Sequence, residues 1–124
     1  MDDIALPTRA EDMFCYGLYT ASHLVNRAYT PHLARLGLTY PQYITLTRLW
    51  EEDGQKVTAL ADKLRMATST LTPLIKRLDA RGLVTRDRDG QDSRARRVNL
   101  TPKGEALRTE APAIKACMVR DTSL

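Results

Sequence analysis

The stretch ALADKLRMATSTLTPLIKRLDARGLVTRDRDGQDSRARRVNLT spans residues 59–101 and decides the fold of this chain. Apolar residues recur at helical spacing near its start, which predicts a short helix: Leu60, Ala61 and Leu64. A break is predicted at residues 65–67, followed by a second helix from Thr68 to Ala80. The second helix has its apolar residues on one face: Leu71, Leu74, Ile75 and Leu78.

An arginine-rich hairpin follows the second helix. Gly82 suits a left-handed helix end, with Leu83 folding back onto the helix. Two strands are predicted at residues 84–88 and 96–100, on either side of a turn at Asp89-Gly90. Helix, turn, helix and basic hairpin in this order predict a winged helix-turn-helix. Such a unit places its second helix in a major groove and its hairpin on the neighbouring backbone or minor groove, so we expect binding to double-stranded DNA.

The second helix and the hairpin offer the candidate DNA contacts. Short hydroxyl side chains near the helix start can approach base edges or phosphates: Ser69, Thr70 and Thr72. Lys76 and Arg77 are expected to touch phosphates. Arg94 is expected near the hairpin tip, where a guanidinium can enter a narrow minor groove. Four further arginines would neutralise backbone charge: Arg86, Arg88, Arg96 and Arg97. The alternative is that the hydroxyls only cap the helix and the arginines are solvated.

The distribution of charge agrees with a DNA-binding unit. Residues 57–108 carry 12 Lys and Arg against 6 Asp and Glu, whereas residues 1–56 carry 5 against 7. A basic half beside a slightly acidic half indicates a polyanion-binding face beside a surface with another role. At this length, residues 1–124 are expected to form a single domain, with the winged helix-turn-helix at about 57–101.

Several classes of protein are not expected. No apolar run approaches the roughly 20 residues that span a bilayer, and no signal-peptide layout opens the chain, so we expect a cytoplasmic protein without a membrane partner. Cys15 and Cys117 are then thiols at rest. His23 and His32 stand alone and no Cys/His spacing suits a metal, so no metal or cofactor is expected. Without a phosphate-binding glycine loop or a Ser/His/Asp grouping, an enzyme is not expected.

A long N-terminal helix is predicted over residues 12–34, closed by Pro31 and Gly37. One stripe is expected to face the domain core: Phe14, Leu18, Ala21, Val25 and Ala28. A second stripe lies about 100° around the helix and consists of Cys15, Tyr19, Ser22, Asn26 and Tyr29. A solvent-facing stripe rarely holds a cysteine and two tyrosines, so we expect something to cover it.

A homodimer on an inverted-repeat operator is expected, because one recognition helix reads too few base pairs for genomic specificity. Residues 1–40 and 102–124 are the expected dimerisation regions.

Thr39 and Gln42 fit a reciprocal capping box at the start of a helix that ends near residue 53. A last helix is predicted from Pro102 toward Ile114.

Several motifs carry a family resemblance. Asp92-Ser93-Arg94, with residues 98–104 behind it, resembles the wing signature of MarR-type regulators. Residues 14–19 (FCYGLY), 37–43 (GLTYPQY) and 71–74 (LTPL) resemble OhrR, the MarR branch that senses organic hydroperoxides. The resemblance implies a mainly α fold with a small β-hairpin wing, that is, a MarR-like winged helix-turn-helix with N- and C-terminal dimerisation helices.

The resemblance also implies roles for both cysteines. Cys15 corresponds to the peroxidatic sensor, hydrogen-bonded by hydroxyls that here correspond to Tyr29 and Tyr40, with Tyr19 nearby and some of these tyrosines supplied by the other subunit. A thiolate attacks the peroxide O–O bond and becomes a sulfenic acid. Cys117 lies where two-cysteine OhrR proteins carry a resolving thiol; alternatively it is a small buried hydrophobe. OhrR-like chains usually continue into a further helix, whereas this sequence ends soon after Cys117.

The sequence thus favours a transcriptional repressor that binds its operator when reduced and releases it when an organic hydroperoxide oxidises Cys15. One alternative is a MarR-type repressor that responds to a small aromatic or phenolic ligand without cysteine chemistry. That ligand would bind between the N-terminal helices and the DNA-binding unit. A thiol peroxidase and a winged helix used only for protein interaction are two further alternatives; salt-sensitive DNA binding would argue against the second of these.

Overall fold

A computed structural model describes residues 8–91 and 94–122. Within these residues, six α-helices are combined with one small antiparallel sheet, which confirms the predicted mainly helical fold with a β wing. The elements are α1 (Phe14–Ala34), α2 (Tyr40–Glu51), β1 (Gln55–Lys56), α3 (Val57–Leu64), α4 (Thr68–Ala80), β2 (Val84–Arg88), β3 (Arg96–Leu100), α5 (Pro102–Ala106) and α6 (Ala111–Thr122), with 3₁₀ turns at Ala10–Asp12 and Leu107–Glu110. No helix in the described ranges is long and apolar enough to cross a bilayer.

The helix starts and ends follow local sequence signals. The capping box before α2 is confirmed: the Gln42 N–H donates to Thr39 Oγ1 at 3.3 Å, and the Thr39 N–H donates to Gln42 Oε1 at 3.0 Å. The predicted break between α3 and α4 contains Arg65 in the left-handed region, at φ +56°. Gly82 ends α4 at φ +72°, and the Leu83 N–H folds back to the Leu78 carbonyl at 3.0 Å. Backbone geometry therefore fixes the end of α3 and the end of α4.

The sheet has three strands rather than the predicted two. Strand β3 lies between β1 and β2 and pairs antiparallel with both, so that Gln55 faces Val98. The predicted hairpin at β2 and β3 is confirmed at its predicted bounds. Strand β1 was missed because it is only two residues long, too short to show a period-2 pattern.

The core lies where α2, α3, α4 and the sheet meet. Its side chains with at most 1% of their surface exposed are Leu33, Leu46, Leu49, Leu60, Leu71, Ile75, Leu78, Leu83, Val84 and Val98. The four inward residues predicted for α4 are all buried. Trp50 completes the core from α2, and its Nε1–H donates to the Gly104 carbonyl at 3.1 Å, which joins α2 to α5.

The expectation that one stripe of α1 faces the domain core is wrong. Phe14 is 82% exposed and Leu18 57% exposed, whereas Leu33, outside that stripe, is 1% exposed. Helical periodicity locates an apolar face, but it does not determine whether the same chain or another molecule buries it. Within α1, the one buried residue is Leu33, near the C-terminal end of the helix.

Proline affects two helices differently from expectation. Pro31 does not close α1, which continues to Ala34; the missing proline N–H removes one hydrogen bond without ending the helix. The predicted single C-terminal helix is divided by the 3₁₀ segment Leu107–Glu110. Pro112, at the second position of α6, cannot donate to the carbonyl four residues earlier, which accounts for the tighter segment before it.

We predict that Gly104→Ala lowers the free energy of unfolding by about 1–3 kcal/mol, the usual cost of overpacking. An added Cβ at this position would overlap the Leu83 carbonyl oxygen and lie 3.0 Å from the Leu83 carbonyl carbon. Urea unfolding measures the change.

Gly90→Ala is the matched control, because an added Cβ there meets nothing within 4 Å. It should change the free energy of unfolding by no more than about 0.5 kcal/mol. Equal changes in the free energy of unfolding for the two substitutions would show that the contact between Gly104 and the Leu83 carbonyl leaves room for a Cβ.

Candidate nucleic-acid interface and thiol sites

Helix α4 has a buried face and a polar face. On the polar side, Ser69, Thr70, Lys76 and Arg77 are exposed, and Thr72 is half-buried. The N-cap is Ala67, which has no side-chain oxygen, so the hydroxyls of Ser69 and Thr70 do not cap the helix. The Thr72 hydroxyl donates to the Thr68 carbonyl at 2.9 Å and keeps its acceptor lone pairs. The structure thus brings the predicted contact residues of α4 to one accessible face.

Four arginines of the wing are exposed. Arg88, Arg94 and Arg96 lie around the end of the hairpin, and Arg86 lies farther back in β2. Arg86 Nε donates to Asp79 Oδ2 at 3.0 Å, so β2 is linked to α4 by an ion pair. Asp92 and Ser93, the first two residues of the predicted wing signature, lie outside the described residues.

Arg97 makes two contacts within the protein that the sequence did not predict. Its Nε donates to Asp89 Oδ1 at 3.1 Å, and its Nη1 donates to the Gly54 carbonyl at 2.7 Å. A guanidinium committed to a carboxylate and a carbonyl is held against the protein. The sequence suggested a DNA-contacting role for Arg97 through its charge alone. It did not predict that β1, which follows Gly54, pairs with β3.

Asp89 anchors the loop at the end of the hairpin and was not singled out from the sequence. It is only 7% exposed, its N–H donates to the Ala95 carbonyl at 3.0 Å, and its Oδ2 lies 3.5 Å from Lys56 Nζ. The hydrogen bond from Arg97 is the main reason that the pKa of Asp89 lies below its ordinary value. The carboxylate therefore stabilises the wing at neutral pH, and this stabilisation is lost only as the pH falls through the lowered pKa.

The two thiols lie on different helices. Cys15 is exposed in the first turn of α1, and Cys117 is half-buried in α6. Arg120 Nη2 lies 3.6 Å from Cys117 Sγ. Helices α1 and α6 are joined nearby by His32 Nε2 and Asp121 Oδ2, 2.8 Å apart.

The predicted sensor tyrosines form two separate groups. Tyr29 and Tyr40 pack with ring centroids 4.9 Å apart, and Tyr43, which sequence reasoning did not single out, lies 5.6 Å from Tyr29. Burial, and then the neighbouring Tyr40, raise the pKa of Tyr29, so its hydroxyl is a donor at neutral pH. Tyr19 instead packs against His23 at 5.1 Å.

Cys15 and Tyr29 of one chain are far apart. They are 14 residues apart on the same helix, which corresponds to about 21 Å along its axis. The structure therefore does not bring Cys15 to Tyr29 within one subunit. A contact between the two requires a second chain.

Two curated relatives place these features in a family. The organic hydroperoxide resistance transcriptional regulator of Bacillus subtilis is 37% identical over 103 residues, which cover 83% of this chain and 70% of that protein. A family model described as MarR family matches residues 38–95. The chain belongs to the MarR family. The HTH-type transcriptional regulator TtmR of Methylorubrum extorquens is 44% identical over 82% of this MarR-family chain, which spans about half (52%) of that relative.

Solved structures agree with this assignment. Reduced AbfR bound to DNA matches with a TM-score of 0.79 and 36% identity, over 83% of this chain and 75% of that one; AbfR comes from Staphylococcus epidermidis. The disulfide-formed AbfR matches with a lower TM-score of 0.68 over the same share of this chain. AbfR was solved in complex with DNA, and this chain is a DNA-binding transcriptional regulator of the MarR family.

We predict that Asp89→Asn weakens duplex binding about tenfold, equivalent to ~1.4 kcal/mol. The substitution removes the charged partner of Arg97 and Lys56 and so loosens the loop at the end of the hairpin. Fluorescence anisotropy with a labelled duplex from the region upstream of the gene measures the affinity.

Asp87→Asn is the control for charge, since Asp87 is exposed in β2, two residues before Asp89. Loss of a negative charge alone should leave the affinity unchanged or increase it, because DNA is an anion. The anchoring role of Asp89 is refuted if both variants bind DNA more tightly.

Proposed function

We propose that this MarR-family regulator is a repressor that senses organic hydroperoxides by oxidation of Cys15 and then releases its operator. The observation that carries the proposal is the position of Cys15, an exposed thiol at the start of a helix whose aromatic and apolar side chains are uncovered. The similarity to a regulator named for organic hydroperoxide resistance supports it. So do the reduced, DNA-bound and disulfide-formed structures of AbfR.

A second copy of the chain is the partner that covers α1. The exposed large side chains of this helix are Phe14, Tyr16, Leu18, Tyr19, Leu24 and Val25. An apolar surface of this kind is unfavourable in water and marks an interaction site. Pairing of α1 and α6 between two subunits would bury it and place Tyr29 and Tyr40 of one subunit near Cys15 of the other. The same pairing would present two copies of α4 to successive major grooves of an inverted repeat.

The DNA-binding face works through two kinds of contact. The first turn of α4 brings Ser69, Thr70 and Thr72 toward base edges and phosphates, while Lys76 and Arg77 neutralise phosphates. Arg94 reaches the minor groove from the wing. The exposed side chains of Arg88 and Arg96, and the ion-paired Arg86, add positive charge beside it.

The redox step is a two-electron oxidation of sulfur. The Cys15 thiolate attacks one peroxide oxygen; an S–O bond forms, the O–O bond breaks, and the alkoxide leaves and takes up a proton to become an alcohol. The resulting sulfenic acid no longer presents a thiolate to the tyrosine hydroxyls. If Cys117 then attacks the sulfenic sulfur, a disulfide forms and water leaves; an external dithiol reduces either product.

We predict that Cys15→Ser binds the operator as wild type does and is not released by cumene hydroperoxide. Wild type should be released by the peroxide, and its binding should return after dithiothreitol. Anisotropy titrations before and after each treatment measure both steps.

Cys117→Ser is the matched control, because it removes the other thiol of the chain. Loss of a peroxide-dependent, dithiothreitol-sensitive dimer band in this variant would assign Cys117 as the resolving thiol. If wild type and Cys15→Ser both bind and neither is released, Cys15 is structural and the redox proposal fails.

In that event, a repressor that responds to a small aromatic acid is the second candidate. One observation favours it: a cavity of about 530 Å³ lies between the start of α2 and α4. Its lining includes Met66, Leu74 and Arg77, which offer apolar contact and a positive charge for a carboxylate.

We predict that Lys76→Ala weakens operator binding and lowers the slope of log K against log salt concentration by about two, as expected for one lost phosphate contact in each subunit of the dimer. Lys115→Ala removes the same charge at an exposed position of α6 and should leave the slope unchanged. Equal slopes for wild type and Lys76→Ala would show that Lys76 makes no phosphate contact.

A further inference from the structure

Arg81 joins the end of the recognition helix to the end of α1. It is the C-cap residue of α4, and its guanidinium donates from Nη2 to the Leu36 carbonyl at 2.8 Å and from Nη1 to the Gly37 carbonyl. The two acceptors belong to the turn that ends α1, 44 and 45 residues earlier in the chain. One side chain therefore connects two elements that are distant in the sequence.

The turn after α1 is shaped to receive this guanidinium. Gly37 adopts φ +67°, and the Leu38 N–H returns to the Leu33 carbonyl at 3.1 Å. A Cβ on Gly37 would lie 2.9 Å from Arg81 Nη2, so the guanidinium occupies the space that a side chain would need. A cation here also meets the partial negative charge at the end of a helix.

The same end of α4 is tied to the C-terminal helices. Lys103 Nζ donates to the Arg81 carbonyl at 3.1 Å, and Thr101 Oγ1 donates to the Gly82 carbonyl at 2.6 Å. At the far end of this C-terminal segment, the pair between His32 and Asp121 returns to α1. A closed chain of contacts thus runs from α1 through α4 and the C-terminal helices back to α1.

We infer that Arg81 is the positioning residue that couples α1 to α4, so that a displacement of α1 is passed to the recognition helix. The inference rests on the proposed function for its signal, which begins at Cys15. From Cys15 to the end of α1 is 19 residues, or about 28 Å of continuous helix. A rigid helix transmits displacement along its length, and a two-bond guanidinium contact tolerates little change in distance or angle before it breaks.

The test compares three variants. Arg81→Gln removes the charge and is too short to bond both carbonyls, and Arg81→Lys keeps the charge but not the forked geometry. Arg35→Gln is the matched control: it removes an exposed arginine at the C-cap of α1 whose side chain has no hydrogen bond to other described residues. Operator affinity is measured for reduced and peroxide-treated protein, and amide hydrogen exchange is measured for residues 34–40 and 76–84 of the reduced protein.

Wild type and Arg35→Gln should lose about tenfold or more in affinity on oxidation, within the range of about 5–150-fold that is typical of coupling between sites. Arg81→Gln should bind DNA normally when reduced and lose less than about threefold on oxidation, with Arg81→Lys between the two. Exchange in Arg81→Gln should become faster in both segments and unchanged elsewhere; faster exchange throughout the chain would indicate a general loss of stability and overturn the inference.

Failure of the inference and failure of the proposed function give different results. If wild type and Arg81→Gln are released equally by peroxide, the coupling role of Arg81 is overturned and the redox proposal stands. If wild type is not released, the redox proposal fails and exchange decides the inference. Faster amide exchange in Arg81→Gln, confined to residues 34–40 and 76–84, then supports the inference that Arg81 couples the two elements. Exchange identical to that of wild type overturns the inference.

Discussion

The burial of one face of α4 is the constraint on which the proposed DNA-binding surface depends. Leu71, Ile75 and Leu78 are at most 1% exposed, and each such side chain contributes about 1.5–3 kcal/mol when it is removed from water. The left-handed turn at Arg65 ends the preceding helix α3, and the glycine at Gly82 ends α4. The inner face therefore holds the helix in place, and the polar face remains available to DNA.

Helix α1 differs from α4, because most of its apolar surface is not buried by the same chain. Its large side chains outside the C-terminal end find no comparable burial in one chain, so the fold leaves an apolar surface that a second subunit can cover. The proposed sensor uses this arrangement, because Cys15 and Tyr29 cannot meet within one subunit. Oxidation would then act on the interface between subunits, and the contact of Arg81 with the end of α1 offers a direct route from that interface to α4.

Sequence alone predicted the elements that depend on local chemistry. The apolar period of α4, the Thr39 and Gln42 capping box, the Gly82 helix end and the strands around Asp89-Gly90 all have their cause within a few residues. The features that were missed depend on contacts between distant segments. Strand β1 forms because it pairs with β3. Arg97 donates hydrogen bonds to Asp89 and to the Gly54 carbonyl. Arg81 bonds a turn 44 residues earlier in the chain. The burial of α1 was assigned wrongly because a helical pattern does not say which molecule covers it.

The central claim, that oxidation of Cys15 separates the regulator from its operator, has a direct test. Operator-bound protein would be treated with less than one equivalent of organic hydroperoxide, and the DNA-bound and free fractions would be separated by native electrophoresis. Mass spectrometry would then determine the oxidation state of Cys15 in each fraction. We expect a reduced thiol in the bound fraction and a sulfenic acid or disulfide in the free fraction. An equal degree of Cys15 oxidation in both fractions would contradict it.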